Sequence, residues 1–305
     1  VIILGDVASL GPYELVRLLG RGGMAEVWLA IAHGASGFAR RIAVKTLAPE
    51  LAAEPELERA LIREATVAAR LHHRNLVAVH GLGVADGRYY VAMEYVDGGD
   101  LAALVDGAAM PEPLALYVAH ELGLGLAHLH AARDDRGLGL GLVHRDVAPG
   151  NVLVSTTGDV KLADFGIAKA TALADLTAAG TRKGTYAYMS PEQLAGEPVD
   201  AASDQFGLAV CVVELVTGQR PFAGDTPWAT MDAIRRGDAR LDGLAEDVTA
   251  FARRALAVDP RARFASMAAL RDAVAALQRA RAPAGAVELG AWVSGRASGF
   301  AGRSP

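Results

Sequence analysis

The chain holds a single cysteine, Cys211, in 305 residues, so a disulfide framework and a cysteine-rich zinc site are both excluded. That cysteine lies in the apolar run from Gly207 to Val213 and reads as a buried core thiol. Basic excess is also missing. With 30 Lys and Arg against 35 Asp and Glu, the formal charge is -5, so the footprint of a nucleic-acid binder is absent and no nucleic acid is expected as a partner. No uncharged stretch approaches the ~18 apolar residues of a membrane span, and the apolar start from Val1 to Leu4 is too short for a signal-peptide core. The chain is accordingly read as cytoplasmic. Its start at Val and its Gly, Ala and Ser-rich end leave open whether it is a fragment of a longer chain, in which case a membrane anchor would lie beyond Pro305. No repeat of solenoid period is found.

What the sequence does have is apolar mass. It is 52% hydrophobic, and a chain of this length can bury about three quarters of its unfolded surface. The first forty-odd residues alternate apolar and polar positions and are broken by glycines, as in Tyr13–Leu19, Glu26–Ala30 and Arg41–Lys45, which predicts strands and tight turns. Leu57, Leu61, Glu64, Ala65, Ala68 and Leu71 then recur at helical spacing behind an acidic start, predicting one amphipathic helix. Strands are predicted again at Leu76–Val84 and Arg88–Tyr95. From Asp100 the spacing turns helical, with helices predicted at Leu114–His130, Ser203–Thr217, Trp228–Arg236, Ala245–Leu256 and Ser266–Ala280 and short strands at Val152–Ser155 and Val160–Ala163. The expectation is an α+β chain of two lobes, the first β-rich with one helix and the second mainly α.

Four segments carry chemistry. Gly20-Arg-Gly-Gly-Met-Ala-Glu-Val27 lies between two strand-like runs, so its main chain can approach phosphate oxygens closely, although a plain turn has the same composition. Lys45 ends an apolar strand and needs an anionic partner, which Glu64 can supply; the plainer reading is a lysine reaching water. His144-Arg-Asp-Val-Ala-Pro-Gly-Asn151 packs a carboxylate and an amide into one Pro/Gly loop. Asp146 can accept a proton from a hydroxyl, and Asn151 can ligate a divalent ion. Asp164-Phe-Gly166 follows a second short strand and offers another hard oxygen ligand beside a glycine. Singly, each aspartate could cap a turn; together and in this order, chance explains them poorly.

The set resembles the signature of protein kinases, and is most similar to bacterial eukaryotic-like (Hanks-type) serine/threonine kinases. The match extends through Gly184-Thr-Tyr-Ala-Tyr-Met-Ser-Pro-Glu192, Ser203-Asp204 and Arg263. The resemblance implies a two-lobed protein-kinase fold over residues 13–280, with an N-lobe at 13–95 and a C-lobe at 96–280, an N-terminal leader at 1–12 and a flexible tail at 281–305. It implies ATP and Mg2+ as cofactors and Ser or Thr of proteins as acceptor, including self-association for autophosphorylation. Leu19, Gly20, Gly22 and Gly23 would form the phosphate loop. Val27, Ala43 and Leu153 would enclose the adenine, Met93 would be the gatekeeper, Glu94 to Val96 the hinge, and Asp100 would reach the ribose. Lys45, fixed by Glu64, would hold the α- and β-phosphates; Asp146 would take the hydroxyl proton; Asn151 and Asp164 would hold magnesium. Glu192 and Arg263 would anchor the activation segment and Asp204 would brace the catalytic loop. Arg145 would pair with a phosphorylated loop residue, Thr181 first and Thr177 or Thr171 next.

The pattern departs from the family at two points. Ala25 replaces the third glycine of the loop, a small change. Ala148 stands where serine/threonine kinases carry a lysine toward the γ-phosphate, and Gly150 stands where tyrosine kinases supply an arginine instead. One such charge is worth on the order of 3–4 kcal/mol in a dry site. That loss would slow the enzyme, but Lys45, Glu64, Asp146, Asn151 and Asp164 are all present, so an active protein kinase is expected, with a nucleotide-binding pseudokinase as the alternative. The stretch from Arg133 to Gly141 is longer than the family's usual linkage and is expected to be an exposed loop.

Overall fold

Alternating residues in the first hundred positions fold into a seven-stranded antiparallel sheet: β1 (Ile2–Leu4), β2 (Val7–Leu10), β3 (Tyr13–Arg21), β4 (Ala25–His33), β5 (Ala39–Leu47), β6 (Val79–Ala85) and β7 (Arg88–Glu94), in the spatial order β1-β2-β3-β4-β5-β7-β6. The computed structural model describes residues 2–4, 7–51, 54–164 and 185–300. Among them two compact units are distinct, one built on this sheet from residues up to 72 and 77–95, the other from 73–76, 96–164 and 185–300.

In the sheet unit, period-two burial separates two faces. Leu10, Leu15, Ala30, Ile42, Val44, Tyr90 and Ala92 form one apolar cluster, and Leu47, Leu61, Ala65 and Val91 form another where α1 (Pro55–Ala68) packs on β5, β6 and β7. The supposed leader is thus part of the fold. Residues 2–4 and 7–10 are strands, and Leu10 is buried, because Gly11 at φ +58° turns the chain back so that Leu10 pairs with Tyr13.

The second unit is mainly helical: α2 (Leu101–Val105), α3 (Glu112–His130), α4 (Pro191–Ala195), α5 (Ala201–Thr217), α6 (Pro227–Arg236), α7 (Glu246–Ala255), α8 (Met267–Arg279) and α9 (Ala286–Phe300). A small antiparallel sheet of β8 (Gly98–Asp100), β9 (Val152–Ser155) and β10 (Val160–Leu162) has the order β10-β9-β8. Helix α5 is buried on all sides from Ser203 to Val213, with Phe206, Leu208, Val210 and Val212 inside, so it forms the centre of the unit. Asn75 belongs here too. Its amide donates to the Glu121 carboxylate and to the Val160 carbonyl, each at 2.9 Å.

The tail differs from its expectation. Residues 286–300 are helical, and Leu289 and Val293 are fully buried. Glycine and serine lower the intrinsic helix preference there, and tertiary packing overrides it.

Candidate active site

In the sheet unit, β3 and β4 are joined by a tight turn in which Gly22 N–H donates to the Ala25 carbonyl at 2.8 Å. The register sets Gly20 opposite Val27, Val27 opposite Lys45, and Ala43 opposite Met93. Side chains two apart on a strand share a face, so Val27, Ala43, Lys45 and Met93 line one side of the sheet. That is also the side on which α1 packs. Lys45 Nζ donates to Glu64 Oε1 at 3.0 Å, and the side chains are only 12% and 14% exposed, so the pair is shielded from water. Glu26 closes the glycine hairpin from within, accepting from Arg21 Nε at 2.7 Å and Trp28 Nε1 at 3.3 Å. Sequence reasoning passed over Glu26, although an acidic residue on a strand facing an arginine across a turn is a visible signal.

In the helical unit the loop from His144 to Asn151 is held by its own side chains. Asn151 Nδ2 donates to the Asp146 carbonyl at 2.8 Å and to Asp146 Oδ2 at 2.6 Å. Two acceptors on one side fix the amide orientation and turn Asn151 Oδ1 the other way, as the atom that could meet a cation. The Ala163 N–H donates to the Asn151 carbonyl at 2.8 Å, bringing Asp164 to the same place. His144 links the two segments: Nε2 donates to the Ala163 carbonyl at 3.1 Å, while Nδ1 accepts the Asp146 N–H at 3.3 Å. That pattern requires a neutral ring, and burial pushes the His144 pKa down, outweighing the nearby carboxylates of Asp204, Asp146 and Asp164. Asp164 has φ +56°, a left-handed backbone rare outside glycine.

Asp204 of α5 receives three donors. Oδ2 accepts the His144 N–H at 2.8 Å and His130 Nε2 at 2.7 Å, and Oδ1 accepts the Arg145 N–H at 2.8 Å. Glu192 and Arg263 form a two-pronged buried pair at 2.7 and 2.8 Å. The other three guanidinium donors reach the carbonyls of Ala257, Ala202 and Val258. Burial alone would lift the Glu192 carboxyl, but hydrogen bonds from Arg263 and Ser203 hold it below the usual range. Ser190 caps α4 in a reciprocal box with Gln193, whose amide also donates to the Arg145 carbonyl at 2.9 Å.

Asp100 ends β8 opposite Leu153, and its Oδ1 caps α2 by accepting the Ala103 N–H at 2.8 Å. Cys211 is buried as expected, and burial pushes its thiol far up. Between α3 and the catalytic loop the long connection folds on itself. The Asp134 N–H donates to Leu138 O and the Leu140 N–H to Ala132 O, both at 2.9 Å, with Leu138 exposed at the tip. Thr171, Thr177 and Thr181, together with Phe165 and Gly166, lie outside the described residues.

The protein kinase domain family matches residues 13–274, which contain every one of these groups. The chain belongs to the protein kinase family. Its curated relatives include the tyrosine-protein kinase MasK of Myxococcus xanthus, 37% identical over 296 residues that cover 93% of this chain and 46% of the relative. They also include the serine/threonine-protein kinase PknA of Mycobacterium tuberculosis, 37% identical over 285 residues that cover 91% of this chain and 64% of PknA. The crystal structure of the Mycobacterium tuberculosis PknI kinase domain is similar with a TM-score of 0.62 and 34% identity, covering 90% of this chain and 99% of that one. The kinase thus spans about half to two thirds of the curated relatives it matches. Its relatives place it with the bacterial Hanks-type serine/threonine kinases, for which ATP and a divalent metal are implied. Asn151 and Asp164 are hard oxygen donors, and no group of three or more His, Cys, Asp or Glu able to hold a metal occurs among the described residues. Two protein oxygens suit Mg2+, which keeps waters and phosphate oxygens for its other positions. No helix among the described residues is long and apolar enough to cross a membrane.

Some groups in the kinase had no signal in the sequence. Tyr188 donates to Glu214 at 2.6 Å, and burial raises the Glu214 carboxyl and the Tyr188 phenol alike. Only the packing of α5 against the turn at Thr185–Tyr188 brings them together.

Proposed function

We propose that this kinase domain binds ATP with Mg2+ and transfers the γ-phosphoryl group to serine or threonine hydroxyls of proteins, its own activation segment among them. The supporting observation is the double hydrogen bond from Asn151 to Asp146, which fixes the carboxylate and a metal-ligating amide as one rigid piece. In this reading Leu19, Gly20, Gly22 and Gly23 approach the phosphates, Val27, Ala43 and Leu153 enclose the base, Met93 is the gatekeeper, and Glu94 and Val96 offer backbone bonds. Asp100 takes the ribose. Lys45, held by Glu64, takes the α- and β-phosphates, and Asn151 and Asp164 hold Mg2+, which neutralises charge on the phosphates.

Asp146 orients the acceptor hydroxyl and takes its proton as the new O–P bond forms; the bond from the γ-phosphorus to the bridging oxygen breaks and ADP leaves. Arg145 receives the phosphate of a modified loop threonine, Thr181 ahead of Thr177 and Thr171, and autophosphorylation brings two copies together. We read the domain as acting in the cytoplasm on protein substrates. Ala148 removes one charge from the site without disturbing the shielded Lys45–Glu64 pair or the Asp146–Asn151 pair, and so does not favour a pseudokinase.

The test is intact-mass analysis of the purified chain before and after Mg-ATP, beside Asp146→Asn. Added phosphate on the wild type alone, recovered as phosphoserine or phosphothreonine, is expected. Phosphotyrosine would move the acceptor class toward that in the name of MasK. Bound ATP without any transfer would replace the proposal with the pseudokinase.

A further inference from the structure

Helix α9 lies beyond residues 13–274, which the protein kinase domain accounts for, yet it is built into the helical unit. It packs on β8, β9 and α2, with Leu289 and Val293 fully buried. The contact is made backbone to backbone. A Cβ on Gly290 would stand 2.6 Å from the Thr156 carbonyl oxygen, and one on Gly158 would stand 1.8 Å from the Ala286 carbonyl oxygen. Only glycine permits that approach from either side, and Gly158 also has φ +86°. The path into the helix is pinned as well. Arg281 binds both oxygens of Asp247 at 2.8 Å and also Glu112, and Glu288 accepts the Gly285 N–H at 2.9 Å.

From this contact a continuous set of bonds leads to the nucleotide segment. The Thr156 N–H donates to the Asp97 carbonyl at 2.8 Å. Asp97 enters β8, whose residues pair with β9 from Gly98 opposite Ser155 to Asp100 opposite Leu153. Asp100 caps α2, and α2 itself touches α9. Strand β8 has 3 residues at the edge of its sheet and α2 has 5. Elements this short do not hold their own geometry and depend on what packs against them.

We propose that α9 is a positioning strap for nucleotide binding: docked through Leu289, Gly290 and Val293, it holds β8 and α2 so that Val96 and Asp100 meet ATP in place. The inference rests on the nucleotide-binding reading of those two residues. The strap acts on affinity for the nucleotide. The groups that transfer the phosphoryl, Asp146, Asn151 and Asp164, are fixed by bonds of their own, from Asn151 to Asp146 and from the His144 and Arg145 N–H groups to Asp204, so they keep their geometry although α2 and β8 also pack on the turn at Pro149–Asn151.

The test compares the full chain with Gly290→Val, whose side chain meets the Thr156 carbonyl, and with Val293→Ala, which only removes buried methyl groups. Val287→Asp is the control, since Val287 is 80% exposed on the same helix. Affinity for ADP by calorimetry, KM for ATP, kcat at saturating ATP and hydrogen exchange of residues 97–105 are read well below each variant's melting temperature. Expected are a loss of nucleotide affinity of about fivefold or more in Gly290→Val and a smaller loss in Val293→Ala, with kcat kept and exchange at 97–105 accelerated. The control is expected to match the wild type. Unchanged affinity with a lowered melting temperature overturns the strap and leaves α9 a purely structural helix; so does a fall in kcat at constant KM. A wild type that binds no nucleotide overturns the proposed function and this inference together, whereas equal affinities in wild type and variants overturn this inference alone.

Discussion

Arg145 stands in the left-handed region at φ +67°, and Asp204 accepts its backbone N–H at 2.8 Å. A non-glycine residue so placed stores about 1–3 kcal/mol of strain, which persists only where neighbours over-determine it. The same carboxylate accepts the N–H of His144, so one buried acid holds the backbone immediately ahead of Asp146. Asp204→Asn presents an NH2 group to one of those N–H donors. We expect a loss of about 2–3 kcal/mol in urea unfolding and a fall in kcat larger than the fall in the folded fraction, read by comparing turnover with far-ultraviolet circular dichroism.

The Lys45–Glu64 pair makes a different prediction. Lys45→Met keeps the apolar stem but leaves the shielded Glu64 carboxylate without its cation, so stability should fall by about 1–3 kcal/mol while phosphoryl transfer in the folded variant falls by a factor on the order of 10²–10³. A variant retaining more than a tenth of wild-type transfer would remove Lys45 from the phosphate site.

Arg263 uses all five of its N–H donors, two on Glu192 and three on carbonyls. Removing it leaves a buried carboxylate without its cation, and breaking such a pair costs about 3–5 kcal/mol. Arg263→Lys, with three donors on a flexible stem, should recover less than half of that loss. Denaturant midpoints of the two variants check both statements.

Acid should destabilise the fold in two stages. Folded His144 stays neutral because its pKa is depressed by burial, whereas the unfolded chain takes up a proton near the ordinary value of about 6.5. Its contribution is therefore complete above that value and is lost as pH falls toward the folded pKa. Glu192, also depressed in the fold, contributes fully above the usual carboxylate range and loses that contribution only as pH falls below it. Melting temperatures between pH 8 and 5 should fall in the wild type and fall less in His144→Gln, which does not titrate.

Restoring the missing charge tests the role of Ala148. Ala148→Lys should raise kcat by about tenfold or more if a cation at this position stabilises the transferring phosphoryl group. Unchanged kcat in a folded variant would mean that the site already meets that need by other groups.

The helices read from periodicity are nearly those observed: Leu114–His130 became Glu112–His130, and Ser266–Ala280 became Met267–Arg279. Their apolar stripes are long enough for the 3.6-residue period to emerge, and their caps add local signals, as Ser266 does. Strand β8 and helix α2 escaped because neither spans enough residues to show a period. Helix α9 escaped because Gly290, Ser294 and Gly295 read as linker, while the reason for Gly290 is a carbonyl on a distant turn. The site divides in the same way. Lys45, Asp146, Asn151 and Asp164 were visible as motifs, since their spacing is local. The bridge made by His144 and the Gln193 bond to Arg145 depend on segments meeting in space, and no window of the sequence holds them.

One atom joins the two ends of the connection between α3 and the catalytic loop. Asp204 Oδ2 accepts both His130 Nε2 and the His144 N–H, so the entry and exit of residues 131–143 are stapled to a single oxygen. Closure of that loop is therefore enforced from α5 whatever its content, and each doubling of its length would add only about 0.6 kcal/mol of entropic cost. The self-bonded hairpin within it is thus a tolerant insertion point, where a peptide tag or reporter can be grafted directly upstream of Asp146 without altering the frame that holds it.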